Sequence, residues 1–321
     1  MNGRIVLLFT ILLAASCVQR SIGPVKGVLV VYHGDLAQFI DEGGLERIQR
    51  TVNTVDDENV FSWAFAELEQ FEGTLTARRV ILFLVPSPEY LPEQVEPVSD
   101  GLCTGEDVWA RNQHVIAAVV EDGTLPESLG DLLEEAYNTQ LHRYIYGSFV
   151  STQMSSPERL DSLQSLGFTV DVPKAYTTRI WRPDDGFVQY QRVAGEECML
   201  LFSIRFYRTP TELDDSVAVL SRESMARRFF FDASADSVDR SRVSVSPIVF
   251  RGLPGVEITG MWRNPEYLNA GGFTTRILDA DGLRYIMDME VYNPGREKEP
   301  FIREGWIMMD TFLHGSANGG N

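Results

Sequence analysis

The chain has 321 residues, a formal net charge of −18 at pH 7, and 44% hydrophobic and 11% aromatic content. That supplies a real apolar core and, by length, material for two domains. The acidic balance argues against nucleic acid and against electrostatic docking on anionic lipid head groups, since both want a basic face. The charge is uneven: residues 27–150 carry 22 acids against 6 bases, residues 151–321 carry 24 against 19. Two units with different surfaces are expected, 27–150 and 151–314.

In chain order, Arg4 gives a short positive start, and Ile5 to Ala15 form an apolar run. The run is too short for a bilayer, which takes roughly 20 residues, but suits a secretory signal over residues 1–16. Leu13 to Cys17 resembles a bacterial lipobox, with its leucine one position earlier than usual. The reading is acylation of Cys17, making it residue one of the mature chain; the alternative is an ordinary secretory peptide with a chance cysteine. Several acyl chains anchor stably where one does not. No acidic residue follows Cys17 closely, which favours the outer membrane, facing the periplasm. Residues 17–26 then read as a tether.

Gly27–Gly34 encloses a buried-type strand, and Leu36–Val52 has helical spacing broken at Gly43-Gly44. Val60–Ala66 and Arg79–Pro86 read as strands, residues 86–107 as a long proline-rich loop, and Val108–Val120 as a strand. Thr124-Leu-Pro-Glu127 opens a helix. A connector is expected over 147–157, with Ser156 capping and Pro157 at the first helical position. Beyond it, Phe168–Trp181, Phe187–Arg192 and Met199–Tyr207 are strands, and Thr209-Pro-Thr-Glu212 opens a helix reaching about Phe230. Val256–Trp262, Phe273–Leu278 and Leu283–Tyr292 are strands, the last two turning at Asp279–Gly282, and Phe301–Leu313 is an amphipathic helix before a frayed tail at 315–321. The fold class is α+β: two mixed α/β units, the second an antiparallel sheet packed with helices.

The stretches KGVLVVYHGD, EDVWARNQHVIAAVV, GFTVDVPKAY, GLPGVEITGMWRN and GGFTTRILDADGLRYIMDMEVYNP resemble a family of Bacteroidota-type envelope lipoproteins classed as a domain of unknown function. The resemblance spans about 26–314 and implies a location and a fold but no reaction. The second unit taken alone, through FTVDVPKAYT, loosely resembles the PsbP/Mog1-type sandwich, whose members mostly bind partners.

Chemistry is sparse. His33, His114, His142 and His314 are scattered, without metal-ligand spacing, so no metal site and no cofactor are expected. Cys103 and Cys198 read as two separate thiols, a disulfide between them being the alternative. The last strand alternates Leu283, Tyr285, Met287, Met289 and Val291 on one face, with Arg284, Asp288 and Glu290 on the other. Neighbouring strands are expected to add Arg276, Glu257, Thr259 and Arg263 to the charged face. Trp262 and Trp181 end strands just before Arg263 and Arg182. One account is a half-exposed sheet with cross-strand ion pairs. The other is a shallow groove in which Trp181, Arg182, Trp262, Arg263, Arg276 and Arg284 meet an acidic or glycan-bearing envelope partner. The favoured function is non-catalytic partner binding or envelope assembly by a lipid-anchored protein; the alternative is a periplasmic hydrolase acting on an envelope polymer.

Overall fold

The computed structural model describes residues 19–147, 155–209, 211–230 and 235–315. The signal segment, Cys17, Pro210 and most of the expected connector lie outside the described residues.

In chain order the strands are β1 (Gly27–Tyr32), β2 (Thr51–Asn53), β3 (Asp57–Asn59), β4 (Ser62–Glu67), β5 (Val80–Val85), β6 (Glu96–Ser99), β7 (Leu102–Glu106), β8 (His114–Val119), β9 (Phe168–Thr169), β10 (Thr177–Arg182), β11 (Phe187–Ala194), β12 (Cys198–Tyr207), β13 (Ser237–Phe250), β14 (Leu253–Asn264), β15 (Asn269–Ala280), β16 (Leu283–Tyr292) and β17 (Leu313–His314). The helices are α1 (Ala37–Asp41), α2 (Leu129–Tyr146), α3 (Pro157–Gln164), α4 (Asp215–Phe229) and α5 (Glu299–Met309). The chain is α+β and divides into two units, residues 1–50 with 61–141 and residues 51–60 with 142–321. The division falls within α2, and the β2–β3 hairpin belongs to the second unit.

The first unit is a six-stranded sheet in the order β4-β1-β5-β8-β7-β6. β4, β1, β5 and β8 run parallel and the β6–β7 hairpin adds antiparallel. β5 is buried along its whole length, the continuous apolar run that a strand covered on both faces requires. Two expectations change here. Residues 86–107 hold β6 and β7 instead of an irregular loop, because Leu102 and Cys103 are buried against Ala118 and Ala117 of β8. Residues 19–26 are bonded, not a free tether: Ser21 and Ile22 donate their amides to Arg111 and Ala77.

The second unit is a seven-stranded antiparallel sheet, β10-β11-β12-β16-β15-β14-β13. Both faces are covered. α4 lays Ala218, Met225, Ala226 and Phe229 against Phe187, Ile258, Phe273, Ile277 and Ile286. α5 lies on the other face, close enough that a Cβ on Gly305 would meet Met289 Cβ at 2.5 Å. α4 starts later than Thr209: the Asp214 side chain takes the Val217 amide at 2.7 Å, so the aspartate four residues beyond the expected proline is the working cap. Strand β13 was not expected, since its register is carried by SVSPIVF, a polar alternation containing a proline.

α5 has no capping side chain of its own. Its first amides, Lys298 N and Glu299 N, are taken at 2.6 and 2.7 Å by the carboxylate of Glu58 in β3, which Thr54 steadies from the same hairpin. A carboxylate there satisfies orphan N–H groups and meets the positive end of the helix dipole. Glu58→Ala is therefore expected to cost about 2 kcal/mol locally, ~30-fold faster amide hydrogen exchange in the first turn of α5. Glu58→Gln should fall between wild type and alanine.

Candidate functional site

A two-residue turn with Asp281 and Gly282 both at positive φ (52° and 75°) joins β15 to β16 and fixes their register. Asp279 thus opposes Arg284, Thr275 opposes Asp288 and Arg276 opposes Met287. Directly opposed residues share a face. Arg284, Asp288 and Glu290 consequently lie under α4, while Arg276, Glu257, Thr259 and Arg263 lie on the α5 face. The expected single charged face is corrected on this point, and so is its half-exposure.

The sequence candidates are placed as follows. Arg284 is 1% exposed and donates twice to Asp279, at 2.8 Å each. Arg276 is buried over the Phe250 ring and paired with Glu257 and Asp310. Arg263 is exposed and pairs with Asp239; Trp181 and Arg182 are exposed on β10. Of the six, Trp262 enters the site described next.

At the centre of the α4 face a polar row crosses four strands: Gln189, Ser203, Asp288 and Thr275, each with no exposed surface. Gln189 donates to Ser203 Oγ at 3.0 Å, and Thr275 donates to Asp288 Oδ1 at 2.6 Å. Arg222 of α4 descends on this row. It donates Nε to Asp288 at 3.3 Å and Nη2 to Glu290 at 2.5 Å, and stacks 4.2 Å over the Phe273 ring. Burial disfavours its charge, and Asp288 and Glu290 more than restore it. Burial pushes Asp288 up as well, with Arg222 opposing. Glu290 rises to about 8, by burial first, with Arg222 opposing and the Asp288 and Asp236 charges adding.

Glu290 also walls a cavity of about 300 Å³ at one end of this face. Phe230, Trp262 and Tyr267 supply aromatic walls, and Asp236, Asn264, Asn269 and Arg179 supply polar ones. The β14–β15 loop shapes the rim, because Asn264 Oδ1 accepts the Glu266 and Tyr267 amides while its Nδ2 donates to Asp236 at 2.7 Å. Burial raises Asp236, with Asn264 opposing. Trp262 Nε1 and Asn269 Oδ1 are buried without a hydrogen-bond partner among the described residues. Orphans of this kind cost roughly 1–3 kcal/mol each, and with no accessible surface these two burden the packing around the cavity. Asp236, Asn264 and Asn269 escaped the sequence reading; the NPEYLN turn could have pointed to them, since asparagines at both ends of a hairpin loop organise its backbone. Elsewhere Cys103 and Cys198 are both free thiols, one in each unit. Among the described residues no three His, Cys, Asp or Glu side chains are grouped to hold a metal.

Two outcomes follow. Arg222→Met should cost ~3–5 kcal/mol in chemical denaturation, by leaving two carboxylates buried without their counter-charge. Glu290 binds its proton more tightly folded than unfolded, so its contribution is complete below about 4.5 and is lost as pH rises to about 8. Stability measured against pH should fall across that window in wild type relative to Glu290→Gln; parallel curves would contradict the assignment.

No curated protein matches the chain. Among solved structures it is similar to a protein of Bacteroides thetaiotaomicron, at 8% identity and a TM-score of 0.29, over 48% of this chain and 47% of that one. The chain thus spans about half the length of that protein. It is also similar to the cyanobacterial PsbP of Synechocystis, at 10% identity and a TM-score of 0.32, over 52% of this chain and 96% of that one. A third, LpqN of Mycobacterium tuberculosis, described as involved in cell envelope biogenesis, matches at 9% identity and a TM-score of 0.29, over 54% of this chain and 95% of that one. The family described as Domain of unknown function (DUF4837) matches residues 140–311, a span containing every residue named around the cavity, and the chain belongs to that family.

Proposed function

We propose that this is a lipid-anchored protein of the cell envelope whose second unit binds a ligand, without transforming it, in the cavity between Trp262 and Glu290. The anchor rests on the lipobox-like stretch ending at Cys17. The observation that carries the binding reading is a cavity of about 300 Å³ in which three aromatic residues stand beside Arg179, Asp236, Asn264, Asn269 and Glu290. Such a combination of apolar walls with a few fixed polar groups is the usual construction of a binding pocket. A hydrolase would draw on Glu290 as a proton donor, given its raised pKa. The commitment of Glu290 Oε2 to Arg222 favours binding instead.

Two measurements test this. Cys17→Ala should abolish incorporation of labelled palmitate and move the protein to the soluble fraction; continued labelling refutes the anchor. A protein-free extract of the native envelope should shift the indole ¹⁵N–¹H resonance of Trp262, and Asn269→Trp, which adds bulk to the cavity wall, should suppress the shift. An extract that leaves Trp262 unmoved refutes the pocket.

A further inference from the structure

We infer that the amino-terminal end of the first unit's parallel strands lies against anionic phospholipid head groups, held there by Arg20, Arg78, Arg79 and Arg111. The inference rests on the anchor proposed above at Cys17 and adds to it the face of the unit that meets the bilayer.

The fold takes hold of the chain close to that anchor. Arg111 donates its amide to Gln19 O at 2.9 Å, and Ser21 and Ile22 donate theirs to Arg111 O and Ala77 O at 3.0 and 2.7 Å. Ser21 is buried, and its hydroxyl donates to Asn112 O at 3.0 Å. Gln19 is two residues beyond Cys17, a reach of at most about 7 Å. An acylated Cys17 sits at the head groups, so the bonded segment comes within one screening length of them, about 8 Å at physiological salt. The unit has no slack with which to stand off.

Charge points the same way. Residues 19–26, 73–79 and 108–113 meet at this end and hold five bases, Arg20, Lys26, Arg78, Arg79 and Arg111, and no acid. Residues 27–150 as a whole carry 22 acids against 6 bases, so the net charge of the chain conceals a basic end. Arg20 and Arg111 are exposed and stand opposite each other in a parallel bridge, which puts both side chains on one face. Arg79 Nε donates to Gly23 O at 2.9 Å, and Arg78 Nη1 would meet a Cβ on Gly23 at 3.2 Å. Asp107, which flanks the third segment, turns its carboxylate to the Asn112 amide. Ile22, 41% exposed, adds an apolar side chain among the guanidinium groups. Bases beside an acylated residue supply the second signal that fixes a lipid anchor to an anionic surface. β1, β5 and β8 start at this end and run away from it in parallel. Their carboxyl ends, where open parallel sheets bind ligands, consequently face away from the bilayer.

The test places the lipidated full chain in nanodiscs of phosphatidylcholine, alone or mixed equally with phosphatidylglycerol, each doped with a gadolinium-chelating lipid. Palmitate labelling of the same sample reports the anchor. Amide signals of Arg20, Arg78 and Arg111 should broaden severalfold more with phosphatidylglycerol than without it, and high salt should cancel the gain. His33 and Tyr90, beyond the far ends of β1 and β5 and on the order of 20 Å away, should stay sharp. Arg20→Glu combined with Arg111→Glu, at two exposed positions, should remove the gain while palmitate is still incorporated and the His33 and Tyr90 shifts are unchanged. Labelled protein whose Arg20 and Arg111 signals ignore phosphatidylglycerol, or which broadens at His33 and Tyr90 instead, overturns this face and leaves the anchor standing. Protein that takes up no palmitate overturns the anchor, and the face with it.

Discussion

A guanidinium with no access to water governs the second unit. Arg222 sits mid-helix in α4, where a buried cation is tolerable only against opposite charge. Asp288 and Glu290 meet it from alternate positions of one strand, so the helix can sit at only one height above the sheet. The neighbouring Thr275, Ser203 and Gln189 continue the polar row outward, tying β15 to β16 and β11 to β12 through side chains as well as through the backbone ladder. A core of interchangeable apolar residues would leave the helix freer to slide.

The same network gives the cavity its chemistry. Glu290 belongs to both, one oxygen on Arg222 and its residue surface on the cavity wall. Any charge entering the cavity is felt by the core, and any shift of α4 changes the proton affinity at the cavity wall. The pocket and the packing of the unit are therefore coupled by a single side chain.

Much of this architecture is readable from the chain, and the failures have physical reasons. Val80–Val85 and Leu283–Tyr292 announce themselves because a strand buried on both faces must be apolar or carry paired charges throughout. β13 does not, because an edge strand with one exposed side tolerates Ser, Arg and Pro247. The charged face is legible along β16 by alternation alone, but which neighbouring residues share it depends on the two-residue turn, and without that turn Arg276 falls beside Arg284. Counting Asp279 opposite Arg284 places Arg276 on the other side. Arg222 and Glu58 were beyond reach, since their partners lie 66 and 240 residues away and nothing local marks either.

The cap that Glu58 places on α5 imposes an order on biosynthesis. The hairpin carrying it is translated 240 residues before the helix that it completes. At about 5–20 residues per second it stands for tens of seconds as a small acidic ribbon with no partner. Five of the six strands of the first sheet, β4 to β8, and all seven of the second, β10 to β16, are made in that interval. An acidic, short and poorly apolar ribbon is well suited to wait, because it offers little for premature pairing. Excising the family span at residue 140 would discard this ribbon, leaving the last helix to start on bare amides.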